Sequence, residues 1–247
     1  MTAALPSTEP LHLLCAGAAQ GIVKAVQAEF THRTGAGISG RFGAVGALRE
    51  ALQTGQPCDV MIVTAGMIDE LCQAFALRAD SRASLGRVRT GVAVCRDALQ
   101  PAIDTPAALK AALQAARAIY FPDPLRATAG IHFAAVMTEL GIHAELQARF
   151  RSFPNGATAM REMAADGAAG LIGCTQVSEI LYTDGVDLVG PLPAPFELST
   201  LYSAAICTAS TRPALAQQFI EMLCGSGSLA LREVSGYVVA QRNTVVT

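Results

Sequence analysis

Short apolar strands alternate with alanine-rich segments of helical period along most of the chain, and turns of small residues join them. In the first unit, residues 11–15 form an apolar run, residues 16–19 a turn of Ala and Gly, and residues 20–34 a helix that Gly35 ends. Four apolar residues of this helix share one face: Ile22, Val23, Val26 and Phe30. Strands that alternate with helices in this way predict an α/β fold with parallel sheets covered by helices.

The strand–helix units fall into two groups. The predicted strands of these groups cover residues 38–42, 59–64, 118–121, 150–153, 169–175 and 201–208. An apolar strand over residues 87–96 leads from the first group to the second, and a proline-rich connection over 190–195 leads back. We therefore expect two lobes, the first formed by residues 1–90 together with 195–247 and the second by residues 91–194.

The charge distribution excludes several classes of partner. The chain of 247 residues has a formal net charge of −2, and its Lys and Arg residues are scattered. Proteins that bind nucleic acids or membrane surfaces carry clustered basic residues. No apolar stretch reaches the roughly 20 residues that a membrane-spanning helix needs. We therefore expect no nucleic acid partner and no membrane insertion.

Two features bear on the compartment. Residues 1–10 have neither the basic nor the apolar region of a secretory signal. The seven cysteines are an odd number without a CxxC pair and lie mostly in apolar runs, as reduced thiols do in a reducing compartment. These features predict a cytoplasmic location, or a periplasmic one if a signal peptide has been removed.

The familiar motifs of several enzyme classes are absent from the sequence. There is no GxSxG elbow, no GxxxxGK[ST] loop and no dinucleotide fingerprint, which argues against a triad hydrolase, a P-loop NTPase and a Rossmann oxidoreductase. The four histidines have no metal-ligand spacing with each other or with carboxylates. We predict no metal site and no cofactor.

Small-residue turns lead from strands into helices at four places: residues 16–19, 43–46, 128–130 and 155–157. Small residues let backbone N–H groups approach a ligand, and a helix N-terminus adds unpaired donors and the positive end of a dipole. Several such turns around one crevice predict a site for a small anionic molecule. The ligand-binding residues expected from these turns are Ala16, Gly17, Ala18, Gly43, Ala44, Thr128, Ala129 and Asn155.

Polar side chains near these turns extend the predicted binding site. Arg126 is expected to grip a carboxylate bidentately, with a solvated surface position as the alternative. Arg41 is a further ligand candidate, although a structural ion pair accounts for it better, and Thr64 either faces the cleft or caps a helix. Asn155 has the same alternative role as a cap.

Gln176 and Glu179 follow a predicted strand, and their spacing of three places them on one face of a helical segment. We expect Gln176 to contact the ligand and Glu179 to be the general base, against the alternative of an ordinary surface Glu. His132, one turn into its helix, is the second catalytic candidate, with a helix-surface position as the alternative. A cysteine is a further candidate for carrying the proton.

The order and spacing of these segments resemble the type II periplasmic binding proteins of the molybdate-binding kind over nearly the whole chain. The resemblance rests on residues 13–20, 42–51, 57–62 and 123–141. It implies a two-lobed fold with a ligand cleft between the lobes. The hydroxyl side chains of molybdate binders are missing from the turns at Ala16 and Gly43, and Gly173 stands where a tyrosine is expected, which leaves room for a larger ligand.

Segments 123–133, 173–181 and 185–193 resemble more closely a branch of that family that includes aconitate isomerases. This resemblance implies an unsaturated di- or tricarboxylate ligand and allylic proton transfer. Three hypotheses follow: a cytoplasmic carboxylate isomerase, a solute-binding protein of an ABC transporter for molybdate-like oxyanions or carboxylates, and a cytoplasmic ligand sensor that signals through lobe closure.

Overall fold

The computed structural model describes residues 9–239. Its strands are β1 Leu11–Ala16, β2 Ile38–Gly43, β3 Val60–Thr64, β4 Ala83–Cys95, β5 Ala118–Pro122, β6 Phe150–Phe153, β7 Leu171–Gln176, β8 Val186–Pro191, β9 Ser199–Ile206 and β10 Tyr237–Val238. Its helices are α1 Gln20–Thr34, α2 Val45–Gln53, α3 Ala65–Gln73, α4 Pro106–Ala115, α5 Thr128–Glu139, α6 His143–Leu146, α7 Gly156–Asp166, α8 Val177–Tyr182, α9 Pro213–Cys224 and α10 Leu229–Val234.

The strands follow the order β2-β1-β3-β9-β4-β7-β5-β6, with β8 and β10 also paired to β4. Strand β1 pairs in parallel with β2 and β3, and β5 pairs in parallel with β6 and β7. The parallel pairing of the βα units is therefore confirmed, and the fold is the predicted two-lobed α/β fold.

Strand β4 is long because it serves both halves of the sheet. Its first part, residues 83–89, pairs with β9, whereas residues 90–95 pair with β7 and β8. The prediction that this strand crosses between the lobes is confirmed by these pairings. The residue limits of the lobes stay a prediction, and residues 1–8 and 240–247 lie outside the described residues.

Separate hydrophobic clusters lie on the two sides of this crossing. One surrounds β1 and β3, where Phe30 of α1 packs edge-on against Phe219 of α9 at 5.2 Å between ring centroids. Another surrounds β5, where Phe121 meets Phe133 of α5 at 5.7 Å. These cores fix the strand ends from which the functional turns project.

Four short elements depart from the sequence prediction. Helices α6 and α10 and strand β10 were not expected, and β8 occupies part of the segment taken as a proline-rich connection. Pro191 lies at the end of β8, a position where a strand tolerates a residue without an N–H. In residues 9–239 no helix has the length and apolar character needed to cross a membrane.

Candidate functional site

The predicted small-residue turns meet around a narrow cavity of about 20 Å³, which has room for about one water molecule. Its wall comes from the turns after β1 and β2, the loop between β5 and α5, the start of α7, the segment after β7, and β9. The lining residues are Ala16, Gly17, Ala18, Gly43, Ala44, Val45, Pro122, Ala127, Thr128, Ala129, Asn155, Gly156, Gln176, Glu179 and Tyr202.

The cavity is narrow because α2 and the loop before α5 touch each other. The Gly46 amide donates to the Arg126 carbonyl at 3.2 Å. The Arg126 guanidinium also lies 3.7 Å from a Glu50 carboxylate oxygen. A Cβ on Gly46 would stand 3.3 Å from the Arg126 carbonyl oxygen, so a glycine suits this close approach. These contacts hold the cleft shut at this point, and a polyatomic ligand needs more space than the cavity that remains.

The Glu179 carboxyl group occupies a slot between two backbone turns. Its Oε2 accepts a hydrogen bond of 2.5 Å from the Thr175 hydroxyl, and its Oε1 accepts one of 3.3 Å from the Ala157 amide. A Cβ on Gly17 would lie 2.2 Å from Oε1, and one on Gly156 would lie 2.1 Å from Oε2. The two glycines therefore create the space that the carboxyl group fills.

The environment of Glu179 changes its acidity. Burial raises the pKa of this carboxyl, and the hydrogen bonds from Thr175 and from neighbouring backbone amides oppose that rise in part. The side chain is only 5% exposed. A buried carboxyl group with a raised pKa is a candidate for accepting and returning a proton.

Gln176 presents hydrogen-bonding capacity that the protein leaves unused. The residue is 2% exposed, and neither its Nε2 nor its Oε1 has a hydrogen-bond partner among the described residues. Buried amides are nearly always paired, and an exception in a cavity wall indicates a partner supplied by a ligand. Gln176 is thus positioned to contact a bound molecule.

Tyr202 is the second buried ionisable group of the cavity wall. It lies in β9 opposite Thr64 of β3 and is 2% exposed. Burial raises the pKa of the Tyr202 hydroxyl far above its usual value, and the negative charge of Glu179 raises it further. Tyr202 is therefore a protonated phenol at neutral pH.

A protein-family comparison decides the class to which this fold and cleft belong. The family model described as bacterial extracellular solute-binding protein matches residues 11–237. The chain belongs to this solute-binding family. The predicted relationship to type II periplasmic binding proteins is confirmed.

The chain is similar to an enzyme in sequence and to two binding proteins in fold. An aconitate isomerase of Pseudomonas sp. is 26% identical over 242 residues, which cover 96% of this chain and 90% of the relative. The periplasmic molybdate-binding protein of Azotobacter vinelandii has a TM-score of 0.75 and 23% identity, with 94% and 100% of the two chains covered. The sulfate-binding protein SubI of Mycobacterium tuberculosis has a TM-score of 0.69 and 17% identity, with 93% and 86% covered.

Ten of the fourteen predicted site residues line the cavity. They are Ala16, Gly17, Ala18, Gly43, Ala44, Thr128, Ala129, Asn155, Gln176 and Glu179. Asn155 also has its alternative role, because its Oδ1 caps α7 by accepting from the Thr158 amide at 2.9 Å. That these residues bind a ligand stays a prediction.

The other four predicted residues lie outside the cavity wall. Arg41 donates to the half-buried side chain of Gln56, and Arg126 pairs with Glu50. The His132 ring is bonded through Nε2 to the Phe196 carbonyl at 2.8 Å. Thr64 precedes α3 without a side-chain capping bond.

The sequence did not single out Tyr202 or Gly156. Gly156 carried a readable signal, since it directly follows a predicted cap in a small-residue turn. Tyr202 lies in an apolar strand, and the sequence around it gave no signal of a site residue. Its place in the site depends on the pairing of β9 with β3.

Other candidate chemistries find less support around this site. Burial raises the pKa of Cys174 well above its usual value, so its thiol is not a ready base. Within residues 9–239, no three or more His, Cys, Asp and Glu side chains are grouped so that they could hold a metal ion.

Proposed function

We propose that this protein binds a small unsaturated polycarboxylate of the aconitate type between its lobes and shifts its double bond by allylic proton transfer. The observation that carries this proposal is the Glu179 carboxyl group, buried in the cavity wall with a raised pKa. In a site that only held an anion, this carboxyl group would have to stay protonated so as not to repel the ligand. The same group is useful where a proton must leave the ligand and return to it.

Binding of carboxylates is supported by three helix N-termini at the cavity. The first residues of α2, α5 and α7 are Val45, Thr128 and Gly156, and all three line it. Their unpaired amides and dipoles favour carboxylate oxygens. The unpartnered Gln176 amide supplies an independent donor and acceptor in the same wall.

The proposed mechanism assigns a separate task to each of these groups. The lobes close on the ligand and exclude water, which strengthens every electrostatic interaction inside the site. Glu179 in its carboxylate form removes a proton next to a ligand carboxylate. The turn amides stabilise the enolate-like charge that develops.

A solute receptor is the second candidate function, and family membership favours it. In that case Glu179 stays protonated and donates a hydrogen bond to an anion, and the lobes close without chemistry. The two functions differ in whether ligand protons exchange with solvent.

Proton NMR of cis- and trans-aconitate incubated with the protein in D₂O tests the proposal. We expect each isomer to convert to the other, and Glu179→Gln to slow conversion by about 100-fold or more. The control Glu162→Gln removes an exposed carboxylate of α7 and should leave the rate unchanged. Tight binding of aconitate, molybdate or sulfate by the wild type, without conversion or deuterium exchange, contradicts the isomerase and supports the receptor.

We also propose a cytoplasmic location. It is supported by the seven free cysteines, since persistent free thiols are typical of a reducing compartment. Fractionation of cells that produce the protein, followed by immunoblotting, tests this. Recovery of the protein in the periplasmic fraction contradicts it.

A further inference from the structure

We infer that Tyr202 is the second proton carrier of the site: its hydroxyl protonates one carbon of the allylic ligand while Glu179 deprotonates the other. This inference rests on the proposed isomerase function and adds a catalytic residue to it. Isomerisation along an allylic system removes a proton at one carbon and adds one at another, so two separate carriers suit two separate positions.

The placement of the two side chains is the first support. Glu179 comes from α8 and Tyr202 from β9, and both line the same small cavity. Each is at least nine-tenths buried, with 5% and 2% of its surface exposed. A planar ligand that binds against this wall, once the cleft has widened to admit it, is therefore placed next to both groups.

The hydrogen bonding of two neighbouring tyrosines is the second support. The Tyr237 hydroxyl donates to the Ala18 carbonyl at 2.7 Å and is fully engaged in the fold. The Tyr202 hydroxyl, by contrast, makes none of the side-chain hydrogen bonds formed within residues 9–239. The Tyr202 hydroxyl is therefore available to hydrogen-bond a ligand at the cavity wall.

The electrostatics fit a donor role. Burial and the nearby Glu179 charge raise the Tyr202 pKa, so the phenol holds its proton until a strongly basic carbon forms beside it. The proposed reaction therefore begins with Tyr202 as the proton donor and with Glu179, in its carboxylate form, as the proton acceptor.

The step balances without any further reactant. A ligand methylene C–H bond breaks and its proton passes to the Glu179 carboxylate. The electron pair of that bond forms a double bond to the central carbon, and the electrons of the former double bond take the Tyr202 proton at the far carbon. The tyrosinate then recovers a proton from the Glu179 carboxylic acid, directly or through water, which restores both groups.

Tyr202→Phe in D₂O separates the two half-reactions, with cis-aconitate as the probe. We expect isomerisation to fall by about 100-fold or more. Deuterium exchange at the methylene carbon should continue at nearly the wild-type rate, because Glu179 is intact. The melting temperature should not fall, since the removed hydroxyl makes no hydrogen bond to a described residue. The control Tyr182→Phe alters the partly exposed tyrosine of α8 and should behave as wild type.

Wild-type isomerisation rates in Tyr202→Phe overturn the inference and leave the proposed function standing. A wild type that neither isomerises nor exchanges overturns both. If the variant does not fold, a single wild-type turnover in D₂O decides: one solvent deuterium at the newly protonated carbon is the expected result. Transfer of the ligand's own proton to that carbon would show that a single group removes the proton and delivers it. That result overturns the inference.

Discussion

The Glu179 carboxyl group lies so close to Gly17 that a Cβ added there would stand 2.2 Å from Oε1. The carboxyl cannot easily move away, because Thr175 and Ala157 hold its two oxygens. The turn after β1 and the side chain that follows β7 are therefore fitted to each other.

Gly17→Ala should displace the Glu179 carboxyl group. It should destabilise the fold moderately and slow isomerisation strongly. We expect a loss of about 1–3 kcal/mol in the free energy of unfolding, which is typical of overpacking. The isomerisation rate should fall from the wild-type value toward the rate of Glu179→Gln. Urea unfolding and NMR of aconitate measure the two effects.

The matched control is Gly66→Ala. Gly66 lies in α3, where an added Cβ meets nothing within 4 Å. Alanine is the better helix former by about 0.5–1 kcal/mol, so this variant should be slightly stabilised and fully active. Equal behaviour of the two alanine variants would show that the contact between Gly17 and Glu179 is unimportant.

The raised pKa of Glu179 makes stability depend on pH. Between the unfolded value of about 4.3 and its raised folded value, the native protein binds more protons at this site than the unfolded chain. The contribution of Glu179 to stability is therefore fully present below that window and is lost as pH rises through it. Glu179→Gln should abolish this component.

Thermal unfolding of both proteins across the window, in one buffer series, measures the difference. We expect the gap between Glu179→Gln and wild type to move in favour of the variant as pH rises, whereas Glu162→Gln follows the wild-type curve. A constant gap at every pH contradicts the raised pKa.

Gln176→Leu should separate binding from stability. The Gln176 amide has no partner among the described residues, so its replacement by an apolar side chain of similar size should leave the free energy of unfolding unchanged or raised. Affinity for aconitate should fall by about tenfold or more, because hydrogen bonds to charged groups contribute about 1.5–3 kcal/mol. Calorimetric titration and urea unfolding measure the two quantities.

Gln53→Leu is the corresponding surface control, at the exposed end of α2. It should leave both affinity and stability close to wild type. A Gln176→Leu protein that is strongly destabilised yet binds normally would assign the amide to the fold rather than to the ligand.

Elements whose apolar face and end are both marked by residues within or next to the element could be predicted from the sequence. The bounds of α1, residues 20–34, follow from its apolar face and from Gly35, which adopts the left-handed conformation that ends the helix. The small-residue turns are equally local, and this explains why most of the predicted binding residues line the cavity. Strand β8 escaped prediction because Pro191 and the prolines that follow it indicate a connection, whereas its pairing to β4 is non-local.

The burial of Glu179 could not be predicted from the sequence around it. A surface position is the default for Glu, and nothing in residues 177–182 indicates otherwise. The slot exists because Gly17 and Gly156, both distant in sequence, lack side chains at the point of contact. The partner of Arg126 could not be predicted from its neighbouring residues either, because Glu50 lies on the other side of the cleft.

The ion pair of Arg126 with Glu50 gives a final prediction about closure of the cleft. The side chains are 55% and 57% exposed, and exposed pairs contribute at most about 1 kcal/mol. If Arg126 acts through the closed form, Arg126→Ala and Glu50→Ala should weaken aconitate binding equally and by no more than this. The double variant should be no weaker than either single variant, because both remove the same interaction.

Titration calorimetry on the four proteins completes this cycle. A loss of about 1.5–3 kcal/mol in Arg126→Ala alone, with Glu50→Ala unaffected, would show that the guanidinium grips the ligand directly, as the sequence predicts. The two outcomes can be told apart because Glu50 is negatively charged and does not bind a carboxylate itself. Glu50 can therefore affect aconitate binding only through its ion pair with Arg126.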